Sequence, residues 1–146
     1  MFGGQVKSKR ERILVVDQDG TTREFLANII KLLGCDFELV ESVEEALKAL
    51  ENHVFDLLIT DLHLPESRKL FENTVQQSPH LRTICMVRHR QLMIDTYHLT
   101  DTVFVLKPFN FDDMINTIRR AIHDKNLLEV EAEFRRLRRQ AFRILS

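Results

Sequence analysis

The chain has no tryptophan, one tyrosine, two cysteines, three prolines and four glycines in 146 residues. Cys35 falls beside an expected turn and Cys85 inside an expected buried strand. They imply no disulfide framework and read as isolated packed thiols. With so few glycines there is no glycine-rich or Ser/Thr-rich phosphate loop after the first apolar run, which argues against flavin binding and leaves an enzyme the least favoured class. No apolar run approaches the roughly 20 residues that a membrane span needs. The start, "MFGGQVKSKRER", carries charge without a following apolar stretch of signal-peptide type, so a cytoplasmic location is expected. The histidines show no H-x-x-x-H spacing for a metal and read as surface or packing residues, His89 being the one nearest the site described below. The net charge of −1 argues against a surface built wholly for nucleic acid or anionic lipid.

Against these absences stands a regular alternation. Short runs rich in β-branched and aliphatic residues predict strands over Arg12–Val16, Phe37–Val40, Phe55–Thr60, Thr83–Val87 and Val103–Leu106. The runs "ILVV" and "FDLLIT" are apolar throughout, as expected for strands covered on both faces. Helical patterns lie between them. Thr21 with Glu24 and Ser42 with Glu45 read as capping boxes, and Gly34 fits a helix C-terminus. Further helices are expected within Glu66–Gln77 and Arg90–Tyr97, and Asn110 caps a last one beginning "FDDMINTIRRAI". Strands alternating with crossover helices give an open α/β fold with a parallel sheet.

In such a fold the functional crevice lies beyond the C-terminal ends of the strands. Those ends carry Asp17, Asp61, Arg88 and Lys107. Two carboxylates and a lysine converging there suit a divalent cation and a phosphoryl group, through hard oxygen ligands and an ammonium partner.

Three segments in this order, "ILVVDQD", "DLLITDLHLP" and "VFVLKPF", resemble the receiver domains of two-component response regulators, over roughly residues 10–125. The resemblance implies a flavodoxin-like (βα)5 fold with a five-stranded parallel sheet in the order 2-1-3-4-5. It implies that Asp61 is the phosphoacceptor for a histidine kinase or other phosphodonor and that Lys107 is its charge partner. Asp17, Asp61 and the backbone carbonyl of His63, with Gln18 as a neutral oxygen, would hold Mg2+. Phe104 takes the aromatic switch position, and Lys107–Pro108 is a cis peptide bond in the pattern.

Two departures weaken the expected metal site. Gln18 stands where receivers carry a second acid, with Asp19 one residue later reading as a turn residue. Arg88 occupies the usual Ser/Thr switch position. The glycine expected a few residues beyond Pro65 is also absent. Asp17, Asp61 and Lys107 sum to −1, and an inward Arg88 brings the sum to zero. At ~5 Å and an effective dielectric of ~20, each unit charge is worth roughly 6 kcal/mol to a divalent ion before solvation and relaxation reduce it. Mg2+ binding is therefore expected to be weakened. Either Gln18 still offers an oxygen and phosphorylation proceeds slowly, or Arg88 pairs with Asp61 in the resting state; a solvent-facing Arg88 is equally open.

Beyond the receiver-like part, residues 10–124, an extension over residues 125–146 continues the last helix. Leu127, Val130, Phe134, Leu137, Ala141 and Ile144 follow alternating steps of three and four, the seam of a coiled coil. The change of phase at Asp124–Asn126 suggests a hinge or stutter. Glu129, Glu131 and Glu133 balance much of the arginine cluster that starts at Arg135, so coiled-coil flanks are favoured over a nucleic-acid contact or an anionic partner. A homodimer through this helix is expected, the alternative being that it folds back on its own domain. The functional expectation is phosphorelay signalling through Asp61, with a downstream effector domain or protein left open. The alternative is a phosphorylation-independent pseudo-receiver acting as an interaction and dimerisation module.

Overall fold

Strands without a polar face are stable only when both faces are covered, and the structure shows this arrangement. The computed structural model describes residues 10–78, 80–90 and 102–145. Five parallel strands, β1 (Arg12–Val16), β2 (Asp36–Val40), β3 (Leu57–Asp61), β4 (Arg82–Val87) and β5 (Thr102–Leu106), form one sheet in the order β2-β1-β3-β4-β5. The helices among the described residues are α1 (Gly20–Leu32), α2 (Val43–Asn52), α3 (Ser67–Gln77) and α4 (Phe111–Leu145). This is the flavodoxin-like arrangement. The helix expected within Arg90–Tyr97 lies almost wholly outside the described residues.

The core has two layers. Ile13, Val15, Ile59, Ile84 and Met86 face α1 and α4, meeting Leu26, Ile29, Ile30, Met114, Ile118 and Ala121. Leu14, Val16 and Leu58 face the other way, onto Val43, Ala46, Ala49 and Leu70 of α2 and α3. Alternate residues of each strand thus serve opposite layers, the period-2 rule applied to a sheet with no wet face. At the end of the sheet away from the site, the Asp56 carboxylate accepts the Arg12 N–H at 2.8 Å. Asp56 N in turn donates to Arg12 O, and β3 starts only at Leu57, two residues later than expected.

The caps decide where chemistry can sit. Helix α1 is capped by Asp19 and not by Thr21: its carboxylate accepts the Thr21 N–H and the Thr22 hydroxyl, both at 3.0 Å. Aspartate is a strong N-cap and lies two residues earlier in the chain, so the helix starts at Gly20. Gly34 carries the positive φ of 73° that ends this helix. Ser42 caps α2 through the Glu45 N–H, and Asn110 caps α4 through the Asp113 N–H at 2.7 Å. Where the sequence lacks a glycine after Pro65, Glu66 itself adopts φ 64° at the start of α3.

Helix α4 runs unbroken through Asp124–Asn126, so the change of phase there is no break in the helix. It is where burial ends. Ala121 is buried, the Asp124 carboxylate meets Arg82, and Asn126 reaches Glu11. Beyond them Leu127, Val130, Phe134 and Leu137 are 47%, 63%, 64% and 49% exposed, so this stripe does not fold back on the domain.

The hydrogen bonds of Asp19 hold its carboxyl below the ordinary 3.8, the Thr22 hydroxyl contributing most. A depressed folded-state pKa stabilises above the unfolded value, and that contribution is lost as pH falls through the lowered one. Thermal melts of Asp19→Ala should therefore lie below those of the parent at neutral pH and converge with them under strong acid.

Candidate functional site at the strand ends

Strand order places β1 and β3 side by side, with β4 next and β5 at the edge. Their C-terminal ends bring Asp17, Asp61 and Lys107 together. Asp17 and Asp61 are buried, at 1% and 3% exposure. The Lys107 ammonium donates to Asp17 Oδ2 at 2.8 Å and reaches Asp61 Oδ2 at 3.4 Å. The second oxygen of each acid accepts a backbone N–H two residues on: Asp19 N for Asp17 and His63 N for Asp61. Buried carboxylates survive only when paired and hydrogen-bonded, and here every oxygen has a partner. The peptide bond after Lys107, to Pro108, is cis.

One contributor was missed in the sequence. Arg23 donates to the Asp17 carbonyl at 2.6 Å and pairs with Glu41 at 3.1 Å, tying α1 to the end of β1 and to the β2–α2 turn. A cation in the first turn of a helix runs against the dipole, and that mismatch was the available signal.

Among the remaining predicted residues, Phe104 is half-buried against Leu62, Phe71, Cys85 and Val87, and so faces the α3 side. Burial, with the Asp61 charge adding to it, pushes the Cys85 thiol up to about 12, which leaves it inert. Gln18, His63 and Arg88 are exposed. Arg88 makes no ion pair with Asp61, and the acid is held by Lys107. His63 and His89 meet edge to face at 6.3 Å between ring centroids, joining the loops after β3 and β4. A cavity of about 540 Å³ opens beside the acids, bordered by Asp19, Phe25, Arg88, Lys107 and Phe109.

The sequence and the fold are matched by known proteins. The model of the response regulator receiver domain matches residues 13–119. The chain belongs to the response regulator receiver domain family. Its relatives include the DNA-binding transcriptional regulator NtrC of Proteus hauseri, 29% identical over 118 residues, covering 78% of this chain and 25% of NtrC. The C4-dicarboxylate transport transcriptional regulatory protein DctD of Rhizobium meliloti is 26% identical over 133 residues, covering 88% of this chain and 28% of DctD. The chain thus spans about a quarter of the length of these relatives. Among solved structures, the NtrX of Brucella abortus in complex with ADP superimposes with a TM-score of 0.81 at 22% identity, covering 87% of this chain and 29% of that one. The response regulator TrrA of Thermotoga maritima, in complex with Mg2+–BeF, gives 0.69 at 26% identity over 76% of this chain and 98% of its own.

Receiver domains are signalling modules of two-component systems, and Mg2+ is the ion typical of them. The donors of this receiver fit such an ion poorly. Asp17 and Asp61 each already give one oxygen to Lys107, the Asp19 carboxylate is spent on the cap, and Gln18 is neutral. Among the described residues no group of three His, Cys, Asp or Glu side chains is arranged to hold a metal. Among the described helices none is long and apolar enough to cross a membrane.

The ammonium is what makes two adjoining buried acids tolerable. Lys107→Met should cost about 3 kcal/mol in urea unfolding, because it leaves both without their counter-charge.

Proposed function

We propose that this receiver accepts a phosphoryl group on Asp61 from a histidine kinase and passes the resulting change along α4 to an output domain or partner. The observation that carries the reading is the placement of Asp61 at the end of β3, with one oxygen held by the His63 N–H and the other in reach of the Lys107 ammonium. That geometry orients a carboxylate nucleophile and leaves a cation beside the position of the incoming phosphoryl oxygens. The bordering cavity gives a donor room to approach on the Lys107 side.

Asp17 would share Lys107 with Asp61 and, once Asp61 is phosphorylated, with the phosphoryl group. Mg2+ held by Asp17, Asp61, the His63 carbonyl and the Gln18 amide oxygen would be weak, since one carboxylate of the usual set is replaced by a neutral amide. Phe104, packed on Leu62 next to Asp61, and the root of α4, packed on Ile59 and Met86 through the common core, are the routes by which a change at Asp61 would spread.

The exposed stripe of α4 fits a second copy of the same chain. With Leu127 and Phe134 at one core position and Val130 and Leu137 at the other, a parallel pairing sets Glu133 of one helix opposite Arg138 of the next. Three of the arginines already have local partners: Arg136 with Glu133, Arg135 with Glu131, and Arg138 over the Phe134 ring at 5.8 Å. This internal balance supports a coiled-coil flank over a nucleic-acid contact.

A second reading is favoured by the Lys107 bridge itself. An acid pair closed by its own lysine resembles a ligand-bound site, and such a module could work through dimerisation without phosphate. Incubation with Mg2+ and acetyl phosphate, followed by intact mass, separates the two. A single phosphoryl adduct on the parent, absent from Asp61→Asn, is expected; no adduct and no response to beryllofluoride would leave the interaction module. Sedimentation should show a dimer that becomes a monomer on truncation after Asn126.

A further inference from the structure

We propose that Arg88 is a second phosphoryl-binding cation of this receiver, beside Lys107: its guanidinium closes over the acyl phosphate on Asp61 and supplies the charge that makes phosphorylation independent of divalent metal. The inference rests on Asp61 being the phosphoacceptor, and goes further by naming what neutralises the product.

Backbone placement comes first. Strand β4 lies between β3 and β5, and its last two carbonyls fasten both neighbours. Met86 O accepts the Leu62 N–H at 3.0 Å, and Val87 O accepts the Lys107 N–H at 2.7 Å. Arg88 is the next residue, so it leaves the sheet between the nucleophile's strand and the lysine's. It borders the same cavity as Lys107.

Availability comes second. Lys107 is committed to Asp17 and Asp61, whereas Arg88 is exposed and forms no ion pair among the described residues. Asp19, the acid that lines this cavity, is held by the Thr21 N–H and the Thr22 hydroxyl.

Charge decides the matter. At rest Asp17, Asp61 and Lys107 sum to −1. Phosphorylation replaces the single charge of Asp61 with the two of a dianionic phosphoryl group, and the same three groups then sum to −2. Arg88 restores −1. A hydroxyl at this position could donate one hydrogen bond but no charge, while a guanidinium offers a planar fork that matches two phosphoryl oxygens at once. With acetyl phosphate as donor the step balances simply. An Asp61 oxygen forms the new bond to phosphorus as the bond from phosphorus to the acetate oxygen breaks, acetate leaves with the electron pair, and no proton moves. Arg88 touches only non-bridging phosphoryl oxygens.

The full chain, its Arg88→Thr and Arg88→Lys variants and Asp61→Asn are incubated with acetyl phosphate, in EDTA and in Mg2+, and read by intact mass. Because the chain lacks tryptophan, fluorine NMR of bound beryllofluoride in Mg2+-free buffer supplies a second readout. The parent is expected to carry one Asp61-dependent phosphoryl group at similar yield in both buffers. Arg88→Thr should lose about tenfold or more in EDTA, the size of one charge-assisted contact, with Arg88→Lys in between. The exposed position keeps the fold out of the comparison. An adduct on the parent that requires Mg2+, or an Arg88→Thr protein that matches the parent in EDTA, overturns the role of Arg88 while leaving Asp61 as acceptor. No adduct under any condition overturns the acceptor reading and this inference together.

Discussion

The Lys107 ammonium between two buried carboxylates is the interaction on which the rest of this molecule turns. Asp17 and Asp61 come from neighbouring strands in the sheet but lie 44 positions apart in sequence, and Lys107 lies further still along the chain. Only a parallel sheet with this strand order brings the three ends to one place, and only the ammonium with two backbone N–H donors makes burying both acids affordable. The fold and the site therefore impose one constraint on each other. A register slip on β1, β3 or β5 would strand a charge in the core, so the polar cluster helps to specify the pairing that the apolar runs merely permit.

Much of this was legible in the residues. The five runs and the strand-end positions of Asp17, Asp61 and Lys107 follow from hydrophobic patterning and from the rule that α/β sites sit beyond the strand termini, while the strand order came from the resemblance to receiver domains. What escaped were choices between local competitors. Asp19 and Thr21 are both good caps, and only the backbone shows that the earlier one wins. The start of β3 moved because Asp56 is drawn into a bond with the Arg12 amide, a contact across 44 residues that no local window contains. Arg23 was missed for the same reason, since its partners are a carbonyl and a residue on another turn.

The departures from the family pattern form a coherent set. Gln18 removes an acid at the mouth of the site, Arg88 adds a cation at the next strand but one, and Asp19 is occupied by the helix it starts. Each change alone would disturb a site balanced around a divalent ion. Taken together they leave the site with less negative charge for a divalent ion and with one more cation carried on the chain.

Helix α4 gives the domain a property that a shorter last helix would not have. Its 35 residues form one rod of about 52 Å, packed on the core as far as Ile122 and tied to the domain by polar contacts as far as Asn126. The 19 residues beyond Asn126 extend about 28 Å, so a tilt of roughly 6° at the root carries the tip through about 3 Å. That is a large fraction of the spacing between side-chain layers in a paired coil. The rod acts as a lever: rearrangements too small to unsettle the packed sheet would still displace its far end.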